Sequence, residues 1–234
     1  MKTLGIISGM GTRAGLYFVD KLIAGLDAKR DQDFPEFYLH NNSRIPDRTR
    51  AIVGNETSPE AELLRSFSAL DQCKAEVIVS TCVTSYYFIN KIKTRTRATV
   101  LNPVELLRDK VQQEYAPGRK IGLLCTSGTL RSQLFHTAFA GTGHELLTLD
   151  ADQQEDLFMR SVYMDNGLKS AVISPEAYRL LNAAVQELCG RGADIIVGGC
   201  SEVQIGMRHC VLDAAVYLDT MDVLASATLR AIQA

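Results

Sequence analysis

Short apolar runs alternate with stretches of helical spacing along the whole chain. Residues 4–8 (LGIIS) read as a strand, residues 9–11 turn it, and residues 14–28 carry helical spacing. A second strand is expected at 37–41, followed by a polar loop over 42–58 that Pro46 and Pro59 punctuate. Ser58 as an N-cap and Pro59 at the first helical position open a helix over 59–72. A buried strand at 76–81 (EVIVST), a helix at 84–93, a short strand at 98–101 and a helix at 103–114 follow. After Pro117 and Gly118 the pattern restarts with a strand at 120–125 (KIGLLC), a helix at 130–140, a strand at 144–149 and a helix at 152–164. Next come a helix at 175–191, a buried strand at 194–197 and a short helix at 201–208. A last strand runs through Val216 and Leu218, and a helix at 220–233 closes the chain.

Strands this apolar, alternating with helices, belong to parallel sheets covered on both faces. The restart implies two similar α/β halves. LGIISGMGT parallels KIGLLCTSGT, and EVIVSTCVT parallels DIIVGGCSE, in the same order. Within each half the first motif precedes the second by about 72 to 75 residues, counted from Gly9 to Cys82 and from Ser127 to Cys200.

At 234 residues, 46% hydrophobic and 22% charged, the chain is long and apolar enough to bury a core without disulfides or metal. A net charge of -2 offers no electrostatic case for nucleic acid or an anionic membrane surface. No run of about 18 apolar residues suggests a transmembrane helix, and the glycine-broken start MKTLGIISGMG does not read as a signal peptide. The six cysteines form no C-x-x-C pair, so a reduced, cytoplasmic protein is expected.

Open α/β sheets bind ligands beyond the carboxyl ends of their strands, which directs attention to residues 8–12, 41–49, 82–85, 126–129 and 200–202. Cys82 and Cys200 stand at matching strand ends. There, free backbone N–H groups and a helix N-terminus favour a thiolate. Thr84 and Ser85 follow the first, Ser201 and Glu202 the second, and small hydroxyls of this kind donate to a carboxylate. Two halves closing face to face would place the two sulfurs on opposite sides of one small ligand. A pair of core thiols is the plainer alternative. Packing remains the expectation for Cys73, Cys125, Cys189 and Cys210. His40, His136, His144 and His209 have no metal-ligand spacing. Gly9, Gly11 and Gly15 loosely follow a dinucleotide fingerprint, but Asn41 and Asn42 stand where the second strand should end in an acid.

GIISGMGTRAG, the IPDRT segment at 45–49, TCVTSYYF, LLCTSGTLRS, VYMDNGLKS and GGCSE occur in the order seen in aspartate/glutamate racemases. The chain resembles that cofactor-independent family over nearly its whole length. The resemblance implies a thiol–thiolate pair, Cys82 and Cys200, one taking the α-proton and the other returning a proton to the opposite face. It also assigns Arg48 and Lys169 to a distal carboxylate, for which a forked guanidinium is suited. Val83 stands where the family has Asn, Tyr86 where it has His, Ser201 where it has Thr, and Thr12 where it has Pro. Val83 bears on the choice of substrate and leaves the two-thiol logic intact.

The expectation is therefore an α/β fold of two pseudo-symmetric lobes with an active site in the cleft between them. The first lobe covers residues 1–101 and the second 102–210, with a tail at 211–234 packing back on the first. L- and D-aspartate, or a related acidic amino acid, would be interconverted by Cys82 and Cys200. The substrate would lie against Met10, Gly11, Arg48, Val83, Thr84, Thr126, Lys169, Ser201 and Glu202. No cofactor and no metal are expected, and the resemblance implies a homodimer. The alternatives are another enzyme on the same scaffold with a shifted substrate, such as another amino-acid racemase or epimerase, a decarboxylase or a cis-trans isomerase, or a ligand-binding relative with weakened turnover.

Overall fold

The first apolar run, Leu4–Ser8, forms strand β1, buried at every position in the computed structural model, which describes residues 1–234. Helix α1 (Thr12–Ala24), strand β2 (Phe37–Asn41), helices α2 (Arg48–Val53) and α3 (Glu60–Gln72), and strand β3 (Val77–Ser80) follow. Helix α4 (Tyr86–Ile92), strand β4 (Thr99–Val100) and helix α5 (Pro103–Glu114) complete the first half. The second half opens with β5 (Lys120–Leu124), α6 (Ser127–Arg131), α7 (Leu134–Phe139) and β6 (Glu145–Leu147). Helix α8 (Ala151–Gln153) runs through a π-helical stretch, Gln154–Met159, into α9 (Arg160–Tyr163). Helix α10 (Pro175–Gly190), β7 (Ile195–Gly198), α11 (Val203–Gly206), β8 (Val216–Asp219) and α12 (Thr220–Gln233) end the chain.

Each half is a four-stranded sheet, in the orders β2-β1-β3-β4 and β6-β5-β7-β8. Every pairing is parallel. The two orders are the same once β1 is matched to β5, so the repeat seen in the sequence is a repeat of topology. The cysteine motifs follow β3 and β7, interior strands at equivalent places.

One apolar cluster joins the lobes. Leu4, Ile6, Val77 and Val79 of the first sheet share it with Ile121, Leu123, Ile195 and Val197 of the second. Val104 and Leu107 of α5 and Met221 and Leu224 of α12 fill the space between. Fully burying side chains of this kind stabilises by roughly 1.5–3 kcal/mol each. The lobes are therefore welded on one side, and the cleft is left at the carboxyl ends of their strands.

The expected elements are altered at several places; the helix expected at 59–72 begins at Glu60, with Pro59 and not Ser58 as its N-cap. The helix expected at 14–28 begins at Thr12 and stops at Ala24, with Gly25 as its C-cap. The loop expected over 42–58 contains α2, which Asp47 caps by accepting the Arg50 N–H and which ends at Gly54. The helix expected at 130–140 breaks at Gln133, whose φ of 57° is left-handed. The short helix expected at 201–208 begins at Val203 and tightens into a 3-10 turn, Met207–His209. The tail divides: β8 is an edge strand of the second sheet beside β7, whereas α12 lies against α1 and α5. The Lys2 N–H also donates to the Ile232 carbonyl, fastening α12 to the first lobe.

Candidate active site

The turn after β1 is shaped by two glycines. Gly9 has φ 91°, and a Cβ there would fall 2.3 Å from the Asn42 carbonyl carbon. Gly11 has φ 149°, and a Cβ there would fall 2.1 Å from Glu202 Oε1 of the other lobe. The second position is thus kept bare by the approach of a carboxylate from across the cleft.

Cys82 follows β3 as the N-cap residue of a 3-10 turn, Val83–Ser85, and is 7% exposed. Cys200 follows β7 and is 6% exposed. Their neighbours carry opposite charges. Beside Cys82 lies Arg48, the first residue of α2, itself only 6% exposed. Its guanidinium donates to the Pro46 carbonyl at 3.1 Å and the Met10 carbonyl at 3.0 Å, while Nε is buried without a partner. Burial works against the guanidinium charge, but the Cys82 sulfur and Asp47 hold it above its ordinary pKa.

Beside Cys200 lies Glu202, buried from solvent. The Cys200 thiol donates to Glu202 Oε2 at 3.0 Å, and the Ser201 hydroxyl donates to the same oxygen at 3.2 Å. Lys169 Nζ donates to Glu202 Oε1 at 3.2 Å and to the Met10 carbonyl at 3.0 Å. Burial and the Glu202 charge push the Cys200 thiol well up, against the pull of Lys169. Burial opposes the Glu202 charge too, yet Lys169 and the Cys200 donor hold this carboxyl below the ordinary value. Cys200 therefore rests as a thiol pointing its proton at a carboxylate.

A third group crosses the cleft. The hydroxyls of Thr84, Thr126 and Thr129 lie 3.0, 2.8 and 3.1 Å apart in a buried triangle. Thr126 caps α6 by accepting the Thr129 N–H at 3.2 Å. Each hydroxyl can donate to the next, and the triangle can open to present donors to a small anion.

Hydrogen bonds and close charge contacts join Met10, Gly11, Arg48, Lys169, Ser201 and Glu202 to the two cysteines, while Thr84 and Thr126 meet in the threonine triangle. Met10 takes part through its carbonyl, while its side chain packs in the apolar core of the first lobe. Val83 is different: its side chain belongs to the central apolar cluster. An asparagine there would bury an amide among apolar groups. Cys125 also lies in that cluster, where burial raises its thiol pKa, which suits packing rather than chemistry. Asp47, Thr49 and Thr129, which lie in the segments 41–49 and 126–129 but were given no roles of their own, and Tyr163, which lies outside those segments, border the site. Asp47 before Arg48 and Thr126 three residues before Thr129 are N-cap spacings that could have flagged two of them.

A family model described as Asp/Glu/Hydantoin racemase matches residues 7–228. A broad-specificity amino-acid racemase of Bacillus subtilis is 23% identical over 233 residues, covering 97% of this chain and 96% of that protein. Among solved structures, the Picrophilus torridus aspartate racemase is 22% identical with a TM-score of 0.86, covering 100% of this chain and 95% of that one. A glutamate racemase from Bacillus anthracis is 15% identical with a TM-score of 0.70, covering 99% of this chain and 82% of that one.

Proposed function

Because the chain belongs to the Asp/Glu/hydantoin racemase family, we propose that it interconverts L- and D-aspartate, or a closely related acidic amino acid, through Cys82 and Cys200. The observation that carries this reading is the pair of cysteines at equivalent strand ends, one beside a buried cation and the other bonded to a buried carboxylate. A thiolate on one face takes the α-hydrogen as a proton, and the C–H electron pair delocalises into the α-carboxylate. A thiol on the other face gives its proton to the carbon, which inverts it and leaves the two sulfurs with exchanged protonation states.

The two directions of turnover draw on different groups. When Cys82 is the base, Arg48 is the cation that faces its sulfur. When Cys200 is the base, it acts as the thiolate left after it has given up its proton in the opposite direction, and the Lys169 charge favours that form. Thr84, Thr126 and Thr129 would donate to the α-carboxylate as charge builds on it. Arg48 and Lys169, both drawn to the Met10 carbonyl, would hold the distal carboxylate.

A second reading, a wider range of amino acids, is favoured by one observation. Glu202 already balances the Lys169 charge, so a neutral side chain leaves no unpaired buried cation there. The name of the B. subtilis relative points the same way.

Circular dichroism of aspartate, glutamate, asparagine, serine and alanine, on wild type, Cys82→Ala and Cys200→Ala, tests both. Aspartate is expected to have the highest kcat/KM, and each alanine variant to lose racemisation by on the order of 1,000-fold while staying folded. Equal turnover of all five amino acids would favour the wider range. Near-wild-type racemisation by either variant would remove the two-thiol mechanism.

A further inference from the structure

Both sulfurs are almost covered, so the cleft is shut. Deep inside, the threonine triangle spans it. At its mouth, the segment from Tyr163 to Ala171 crosses from the second lobe to the first. Lys169 reaches the Met10 carbonyl, Arg13 donates to the Ala171 carbonyl, and the Tyr163 hydroxyl donates to Asp47 Oδ2 at 3.0 Å. Tyr163 is 38% exposed, which puts it at the outer rim.

Asp47 is more than an acceptor. Its other carboxylate oxygen takes the Arg50 N–H and so caps α2, whose first residue is Arg48. The Arg48 hydrogen bonds stay within its own lobe, and Thr49 faces the Tyr163 hydroxyl from the same helix. The bond from Tyr163 to Asp47 therefore ties the cap of α2 directly to the second lobe. The Tyr163 ring also lies under Lys169 Nζ, 5.3 Å from its centroid. One side chain thus touches both the cap of the Arg48 helix and the Lys169 ammonium.

We propose that Tyr163 is a positioning residue that holds the cleft closed, its hydroxyl tying α2 to the second lobe through Asp47. Burial works against the Asp47 charge, but the Arg50 N–H, the Arg48 charge and the Tyr163 donor hold this carboxyl below its ordinary value. Burial raises the Tyr163 phenol, opposed by Lys169, so it remains a donor. A neutral donor on a charged acceptor is the stronger kind of hydrogen bond. The inference rests on the closed geometry and does not depend on which amino acid is racemised.

Iodoacetamide labelling of the whole protein, resolved by peptide mass spectrometry, reads cleft opening directly. Tyr163→Phe keeps the ring and removes the hydroxyl. Asp47→Ser keeps an N-cap acceptor and removes the second oxygen. Each should speed labelling of Cys82 and Cys200 at least about fivefold, with little further gain in the double variant. Cys125, in the core away from the cleft, should stay as slow as in wild type. In turnover of whichever amino acid the wild type racemises, KM should rise several-fold with kcat nearly unchanged, because bound substrate itself bridges the lobes. Unchanged labelling of Cys82 and Cys200, labelling of all three cysteines rising together, or a fall in kcat at constant KM would overturn the proposal.

Discussion

Two buried carboxylates near strand ends are pushed in opposite directions by their surroundings. Glu202 has Lys169 at 3.2 Å and is held below its ordinary pKa, so it contributes stability that is lost as the pH falls. Asp219 caps α12, accepts the Met221 N–H at 2.7 Å and the Tyr217 hydroxyl at 2.9 Å, and has Lys21 no nearer than 3.7 Å. Lys21 is shared with Asp222, and burial carries Asp219 up to about 6. A raised carboxyl destabilises the fold at neutral pH. Its favourable contribution is complete below the unfolded value near 3.8 and is lost as the pH rises through about 6. Asp219→Asn keeps a good cap and removes the charge. In urea titrations it should be more stable than wild type at pH 7.5, by on the order of 2–3 kcal/mol, and the gap should close by about pH 4. A gap that is the same at both pH values would show that Asp219 is not the group responsible.

Among the elements, α2 does the most for the site and was the least visible in the sequence. RTRAIV is six residues with no apolar period, between prolines in a polar stretch, so only the cap at Asp47 and the stop at Gly54 mark it. Burial of Arg48 was hidden for the same reason, since it comes from α2 pressing on α6 across the cleft. Gly128 of α6 shows how close that contact is: a Cβ there would fall 2.7 Å from Thr49 Cα. Gly128→Ala should push the two helices apart, costing about 1–3 kcal/mol. At ~2–4 °C per kcal/mol for a chain this long, calorimetry should show a clear fall in Tm, and kinetics a raised KM. A variant with wild-type Tm and KM would mean that the helices have room to spare. The long strands and both cysteine motifs were legible because burial on two faces leaves continuous apolar runs. The motif position of Val83 did not show that its side chain joins the central apolar cluster, since that packing comes from segments far away in the chain.

At the scale of the molecule, two sheets of the same strand order share one core and face each other across one cleft. The repeat in the sequence was enough to find this, because equal spacing between strand and cysteine motifs reflects equal topology. It could not reveal that the symmetry is broken in charge, with Arg48 at one sulfur and Glu202 at the other. That difference arises from contacts between segments far apart in the chain. No helix is long and apolar enough to cross a membrane. The central claim is that the two lobes supply one proton-transfer group to each face of the substrate. Early turnover of L-aspartate in D2O, followed by NMR and chiral chromatography, tests it most directly. The account predicts that the newly formed D-aspartate carries deuterium at the α-carbon while the unconverted L-aspartate retains its hydrogen, with Cys82→Ala and Cys200→Ala each abolishing the inversion. Deuterium entering the unconverted L-aspartate as fast as D-aspartate forms, or inversion surviving in either variant, would contradict it.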